Sequence, residues 1–293
     1  MEIRVLRYFL AAAKEENITR AAETLHITQP TLSRQLALLE EETGVTLFQR
    51  GARKITLTSE GLLLKSRAEE IVSLADKTME ELSVYDEVEG TIRIGTGGLH
   101  ANHILFAAAE RFRAENPKVN FSFFTSSADV IRERLDKGLI DIGVMMEPAR
   151  LSDCEVIRLK EKEKWVVLLR FDDPLCSRES VSCEDLQSHE IVMPGRENVR
   201  GIVSEWLNAS KHPYTVSYYS TLSTTAAEAV YTTGAAAFMV DGSLPFTDET
   251  KLVKKELNPP LETEAVIAFR KYRPMMKAAE QFIAFLRCFA CRE

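Results

Sequence analysis

Apolar residues in the first sixty positions recur at the spacing of short helices, with polar breaks between them. Residues 2–16 are predicted to form one amphipathic helix on the stripe Val5, Leu6, Phe9, Leu10 and Ala13. Asn17 is a suitable N-cap for a second helix over 18–25, and Thr28 is one for a third helix that ends at Gly44. Two short helices joined by a tight turn, with another helix behind them, predict a helix-turn-helix.

The third helix has a leucine stripe, and the residues opposite that stripe are of the types that read DNA. Glutamine pairs with adenine through two hydrogen bonds, serine and threonine reach base edges or phosphates, and arginine suits guanine or phosphate. Residues 46–58 alternate apolar and polar positions, which predicts a two-stranded wing with a basic tip. The alternative is an ordinary small helical domain with a solvated polar face. The candidate DNA-binding residues are Thr28, Gln29, Pro30, Thr31, Ser33, Arg34, Arg50, Arg53 and Lys54.

A long helix is predicted over residues 59–87, which contain no proline and no glycine after Gly61. Its apolar positions alternate spacings of four and three, as in the seam of a coiled coil: Leu64, Ala68, Ile71, Ala75, Thr78, Leu82 and Tyr85. The seam is only partly apolar, so the pattern leaves two interpretations open. The helix either pairs two subunits or packs on the body of its own chain.

From residue 91 onward, strand patterns alternate with helical ones, which predicts crossover connections and a largely parallel sheet. A first set of elements covers about 91–160 and a second about 161–267, and a strand and closing helix over 268–293 return to the first. Two α/β lobes with crossings near residues 160 and 265 predict a clamshell like that of periplasmic binding proteins.

Residues 17–58 closely resemble the DNA-binding domain of the LysR-type transcriptional regulators. The agreement is ungapped and includes Ala21-Ala22, Thr28-Gln29-Pro30, Leu32-Ser33-Arg34-Gln35, Leu39-Glu40, Gly44, Leu47-Phe48 and Leu57-Thr58. A weaker resemblance covers the body through Gly95, Arg111-Phe112, Asn116-Pro117, Gly138, Ile140-Asp141-Ile142-Gly143 and Gly234.

The resemblance implies an α/β protein with three parts. These are a winged helix-turn-helix DNA-binding domain over 1–58, a linker and dimerisation helix over 59–87, and a two-lobed effector-binding domain over 91–293. It also implies that the partners are double-stranded promoter DNA with an inverted repeat, a small-molecule effector and further copies of the chain. A homodimer is expected, and a homotetramer is common in the family.

Loops after the carboxyl ends of the predicted strands are the expected effector site, because ligands of open α/β sheets bind there. Helix N-termini and two arginines in these loops favour an anion, although Arg196 and Arg200 could also be solvated surface charges. Family members often place a hydroxyl in the first loop to bind the effector, whereas here only Thr96 supplies one. The candidates are Thr96, Gly97, Gly98, Leu99, His100, Ser126, Ser127, Arg196, Asn198, Arg200 and Thr221.

The net charge of −7 by itself argues against non-specific nucleic-acid binding. Residues 1–60 carry eight basic and eight acidic side chains, however, so the negative excess lies in the remainder and a basic face on the first module stays compatible with DNA. Neither a secretory signal nor an apolar run of about 18 residues is visible, so a cytoplasmic protein without membrane contact is expected.

Other classes of function have weaker support in the sequence. Gly95-Thr96-Gly97-Gly98 lacks the third glycine of a dinucleotide loop, and motifs of serine hydrolases, zinc proteases and P-loop enzymes are missing, so neither an enzyme nor a cofactor is predicted. His100 and His103 have no further metal ligand at suitable spacing. The open alternatives are a cytosolic small-molecule-binding protein without a DNA role and a redox-sensing regulator that uses Cys176 and Cys183.

Overall fold

A computed structural model describes residues 1–50, 54–83, 87–147, 149, 151–209, 213–272 and 274–290, without the side chains of Arg50 and Ala290. Two compact units cover Met1–Tyr85 and Asp86–Glu293. The predicted DNA contact Arg53 and the predicted seam residue Tyr85 lie outside the described residues.

The first unit is a helix-turn-helix with a two-stranded wing and a long following helix. Its elements are α1 (Ile3–Glu15), α2 (Ile18–Thr24), α3 (Gln29–Thr43), β1 (Phe48–Arg50), β2 (Ile55–Leu57) and α4 (Ser59–Ser83). The predicted N-cap Asn17 is confirmed, because its side chain accepts the N–H groups of Thr19 and Arg20. Thr28 occupies the N-cap position of α3, but its hydroxyl lies 2.8 Å from that of Thr31 instead of capping a backbone N–H.

One apolar core fixes the three short helices and the wing. Phe9 of α1 is fully buried and its ring lies 5.2 Å from that of Phe48 in the wing. The leucine stripe of α3 faces the same core: Leu32, Leu36 and Leu39. This packing presents the opposite face of α3 to solvent.

The residues of the predicted α4 seam differ in their surroundings. Ala68 is fully buried in the helix-turn-helix core, and Leu64 and Val72 pack against the same core. Ile71 and Leu82 are exposed. One face of α4 therefore packs on its own unit, because α1 covers positions that the pattern assigned to a coiled coil.

The second unit combines strands and helices around one mixed sheet. Its helices are α5 (Ala101–Glu115), α6 (Ala128–Lys137), α7 (Glu197–Asn208), α8 (Ser223–Thr233) and α9 (Lys277–Ala290). Its strands are β3 (Gly90–Thr96), β4 (Val119–Thr125), β5 (Ile142–Met146), β6 (Cys154–Arg170), β7 (Ser180–Ser182), β8 (Glu190–Pro194), β9 (Thr215–Ser220), β10 (Ala236–Val240), β11 (Leu252–Asn258) and β12 (Glu262–Arg270).

The sheet divides into two lobes that share one long strand. Along the sheet the order is β4-β3-β5-β12-β6-β10-β8-β9, in which β4-β3-β5 and β10-β8-β9 are parallel, as predicted. We call the β4-β3-β5-β12 side lobe I and the β10-β8-β9 side lobe II. β6 pairs antiparallel with β12 over 154–164 and then with β10 over 165–168, so it runs from lobe I into lobe II. The predicted two-lobed α/β architecture is confirmed.

Sequence patterns do not indicate β7, β11 or the first eleven residues of β6. Residues 160–164 read Lys-Glu-Lys-Glu-Lys, and such a charged run hides strand alternation. Within the described residues, no helix combines the length and the apolar character that a membrane span requires.

Candidate functional site

The polar face of α3 is exposed to solvent on the surface of the first unit. Gln29, Thr31 and Arg34 are exposed, as are Thr28 and Pro30 at the start of the helix. Ser33 is only half-buried. The sequence-predicted DNA contacts on this helix therefore lie together on one accessible surface, behind which the leucine stripe is packed.

The wing is attached to the helices at both of its strands. One carboxylate oxygen of Glu40, on α3, accepts the N–H of Leu47 at 2.7 Å and that of Phe48 at 3.1 Å. The N–H of Ile55 donates to the carbonyl of Glu16 at 3.0 Å. Lys54 is exposed and its Nζ lies 3.0 Å from a Glu16 carboxylate oxygen. Sequence reasoning noted Glu40 only as part of a motif, because nothing in its spacing indicates two backbone partners across the wing.

The second unit has a cleft of about 680 Å³ between the two lobes. Seven of the predicted effector residues line it: Gly97, Gly98, Leu99, Ser126, Ser127, Arg196 and Thr221. The expectation that the loops after β3, β4, β8 and β9 meet around one space therefore agrees with the geometry. Further hydroxyls line it at Thr125, Ser220, Ser223, Thr224 and Ser243.

Four predicted effector residues, Thr96, His100, Asn198 and Arg200, are not among the lining residues. Thr96 is 3% exposed, and its hydroxyl lies 2.5 Å from the Asn102 side-chain oxygen and 3.1 Å from the Gly97 carbonyl. His100 pairs with Glu161 at 3.2 Å, and the Arg200 guanidinium lies 5.4 Å from the ring centre of Tyr219. Local partners therefore hold three of these side chains away from the cleft.

The start of α5 was expected to attract an anionic effector, but the protein's own carboxylate occupies it. Glu163, on β6, is 1% exposed and accepts the N–H groups of His100 at 2.7 Å and Ala101 at 2.9 Å. Burial raises the pKa of Glu163, against the lowering effect of these two hydrogen bonds. A ligand anion therefore has no free N–H at these two residues.

Arg196 is the only charged side chain among the described residues that line the cleft. It stands at the N-cap of α7 in lobe II, and its Nη2 lies 3.2 Å from an Asp129 carboxylate oxygen in the first turn of α6 in lobe I. Its Nε is buried and has no hydrogen-bond partner. The remainder of the wall is largely apolar, with Met145, Met146, Trp165, Phe238 and Met239 among the residues that sequence reasoning missed. Alternation along a strand identifies its two faces but does not tell which of them borders a cavity.

The thiols that suggested a redox site are poorly placed for one. Burial raises the pKa of Cys176, and Asp173 raises it further, so the reactive thiolate is disfavoured. Cys183 is buried in the apolar core of lobe II, and both cysteines are free. No group of three or more metal-ligating side chains occurs among the described residues.

Comparison with known protein families shows which family this chain belongs to. A model of the LysR substrate binding domain matches residues 86–290, and a model of bacterial regulatory helix-turn-helix proteins of the lysR family matches residues 3–62. The chain therefore belongs to the LysR family. It is a transcriptional regulator of the type that binds DNA through a helix-turn-helix and responds to a small effector, which confirms the resemblance drawn from residues 17–58.

Curated relatives are regulators as well. The chain is 30% identical over 213 residues to the HTH-type transcriptional regulator BsdA of Bacillus subtilis, covering 71% of this chain and 72% of that one. It is 33% identical over 196 residues to the HTH-type transcriptional regulator BenM of Acinetobacter baylyi, covering 66% and 64%. The fold is also that of CbnR, a LysR family transcriptional regulator, with a TM-score of 0.80 at 20% identity over 99% of both chains.

Proposed function

We propose that this chain regulates transcription by reading an inverted repeat in promoter DNA as a homodimer, under the control of a small anionic ligand bound between the lobes. The observation that carries the DNA role is the exposed polar face of α3, held outward by a fully buried leucine stripe. We assign 1–58 to DNA binding, 59–87 to subunit pairing and 91–293 to ligand sensing. Because its proposed target is a bacterial promoter, we place the protein in the cytoplasm.

In this proposal α3 enters the major groove and the wing follows the neighbouring backbone. Gln29, Ser33 and Arg34 face base edges, where each good bidentate pair contributes about 1–3 kcal/mol of discrimination. Phosphate contacts come from Thr28, Thr31, the helix start at Pro30, and the wing cations Arg50, Arg53 and Lys54. The family's DNA-binding architecture supports this orientation, and CbnR, which shares the fold, has also been solved in complex with its target DNA.

Subunit pairing is assigned to α4. Besides the side chains that pack on its own unit, this helix exposes Ile71, Leu74, Met79 and Leu82. A second copy of the helix would bury these side chains, and burial of a large apolar side chain contributes about 1.5–3 kcal/mol. We propose a homodimer built on α4 and a homotetramer as the next level of assembly.

The ligand is proposed to be a small acid with an apolar body. Arg196 supplies the positive charge, Ser126, Ser127 and Thr221 supply hydroxyls, and the methionines and Trp165 supply an apolar wall. These groups belong to both lobes, so a bridging ligand prefers one angle between the lobes. Only a ligand with such a preference can shift a conformational equilibrium.

Gel-shift titration of the full-length protein on the promoter of an adjacent gene tests the DNA role. We expect a retarded complex that an excess of random duplex does not compete away at moderate salt, and loss of that preference in Arg34→Ala. A protein that binds small acids but retards no duplex would instead be a small-molecule-binding protein without a DNA role. Turnover of a cleft ligand would indicate an enzyme.

A further inference from the structure

An ion pair joins the two lobes beside the cleft. Asp129 lies in the first turn of α6, next to the lining residues Ser127 and Ala128 of lobe I. Arg196 begins α7 in lobe II, and the two side chains approach to 3.2 Å. The only charged lining residue of the described cleft is thus tied to the opposite lobe by a carboxylate of the protein itself.

The pair uses only one nitrogen of the Arg196 guanidinium. Nε and Nη2 of an arginine point in the same direction and together match the two oxygens of one carboxylate. Arg170 and Asp172 make this two-bond contact elsewhere in the unit, at 2.7 and 3.1 Å. Arg196 gives Asp129 only the Nη2 bond, while its buried Nε has no partner. A buried donor without a partner is unfavourable, so an acceptor placed to bind Nε as well as Nη2 is favoured.

Asp129 is also easy to displace. Its side chain is 78% exposed, whereas that of Arg196 is 24% exposed. Ion pairs with a solvated partner are weak, because water screens the attraction and solvates the released carboxylate. A ligand carboxylate inside the cleft would meet Arg196 with less water between the charges and with freedom to adopt the two-bond geometry.

We propose that Asp129 is a resident competitor for the acidic group of the cleft ligand. Without ligand, Asp129 holds Arg196 between the lobes; the ligand carboxylate displaces it and binds both Nε and Nη2. The inference rests on the function proposed above, and it narrows the ligand to a monoanion. A second negative charge would be repelled by the released Asp129, since the described lining offers no second cation.

The exchange of Asp129 for the ligand also couples ligand binding to the contact between the two lobes. The Asp129–Arg196 pair joins α6 of lobe I to the start of α7 in lobe II, so its loss removes a direct restraint on their separation. The ligand replaces that restraint with contacts of its own body to both walls. Asp129 is therefore a positioning residue. Part of the ligand's binding energy is used to break its contact with Arg196, and that contact joins the two lobes.

Calorimetry on the full-length protein tests the competition. The probes are 3-methylbutanoate, hexanoate, benzoate and phenylacetate, each against its primary amide and against succinate. We expect at least one acid to bind, and its amide and succinate to bind about tenfold more weakly. Asp129→Asn should tighten acid binding by about three- to tenfold. Arg196→Gln should abolish the difference between acid and amide.

Glu133→Gln is the matched control, because it removes a carboxylate one turn further along α6 that pairs with Lys137 instead. It should leave acid affinity within about twofold of wild type. The inference is overturned if Asp129→Asn binds the acids no more tightly than wild type, or if neither protein binds any acid of the panel. Gel-shift titration of the same preparations separates the outcomes, since intact operator binding leaves the proposed function standing when the inference fails.

Discussion

The backbone of Gly242, in lobe II, lies directly on the backbone of His100, in lobe I. A Cβ at position 242 would lie 2.1 Å from the His100 nitrogen, a distance that no side chain tolerates. Gly98 and Ser243 make a similar approach, with a Cβ at 98 placed 3.1 Å from Ser243. The two lobes therefore meet through backbone at this edge of the cleft, and glycine is required at position 242 for lack of space, not for its backbone angles.

Gly242→Ala should accordingly destabilise the second unit. Relief of the clash requires the 241–243 turn to move away from the start of α5, and such overpacking costs about 1–3 kcal/mol. Chemical unfolding followed by tryptophan fluorescence measures the change, since both tryptophans lie in this unit. Gly201→Ala is the control, because a Cβ there meets nothing within 4 Å inside α7. It should stabilise by up to about 1 kcal/mol; equal stabilities of the two variants would contradict the contact.

Glu163 should make the stability of the same unit depend on pH. Burial raises the pKa of this carboxyl in the folded chain, so the folded state binds the proton more tightly than the unfolded state does. Its contribution to stability is then complete below the ordinary glutamate pKa and is lost as the pH rises through the raised value. Glu163→Gln, which cannot titrate, should therefore gain stability relative to wild type as the pH rises from the ordinary glutamate pKa through the raised one.

Unfolding titrations at a series of pH values measure this difference. Glu179→Gln is the control, since it removes an exposed carboxylate from the same unit. If wild type instead gained stability over Glu163→Gln as the pH rose, the hydrogen bonds from His100 and Ala101 would outweigh burial, and the pKa of Glu163 would be lowered in the folded chain.

The helix-turn-helix was predictable because its signals are local. The leucine stripe of α3, the cap at Asn17 and the stop at Gly44 all follow from neighbours within one or two helical turns. The two-lobed sheet followed equally from alternating strand and helix patterns. What could not be predicted is the part fixed by residues far apart in sequence.

The cleft shows this limit most clearly. Its loops could be predicted from topology. Whether their polar groups are free to bind a ligand depends on residues distant in sequence, such as Glu163, which accepts the N–H of His100 from 63 positions away. Thr96 was expected to bind the effector as the only hydroxyl in its loop, yet Asn102 engages it. The same holds for α4, where Ala68 packs on its own core because α1 lies beside it, a contact that no heptad pattern contains.

Glu40, on α3, should hold the wing in place against this helix, which we call the recognition helix. Glu40→Ala leaves the N–H groups of Leu47 and Phe48 without their acceptor, which costs about 1–3 kcal/mol for a partly buried donor. The wing should shift, so operator affinity should fall together with the thermal stability of the first unit. Glu41→Ala, at an exposed neighbouring position, is the control. Unchanged affinity and stability in Glu40→Ala would show that the turn alone positions the wing.

Removing side chains from the recognition helix and from the wing should change DNA binding in different ways. Gln29 is exposed on α3 and is assigned to a base edge, so Gln29→Ala should relax sequence preference at one base pair by about 1–3 kcal/mol. Lys54 is exposed in the wing and is assigned to a phosphate, so Lys54→Ala should weaken all duplexes alike and reduce the salt slope by about one unit. Gel-shift titrations at several salt concentrations, on operator and random duplexes, measure both effects.

Lys54 also pairs with Glu16, so Glu16→Gln is the matched control. It removes the ion pair but keeps the cation, and it should leave the salt slope unreduced. Equal losses on both duplexes in Gln29→Ala and Lys54→Ala would remove the distinction between base-reading helix and phosphate-binding wing.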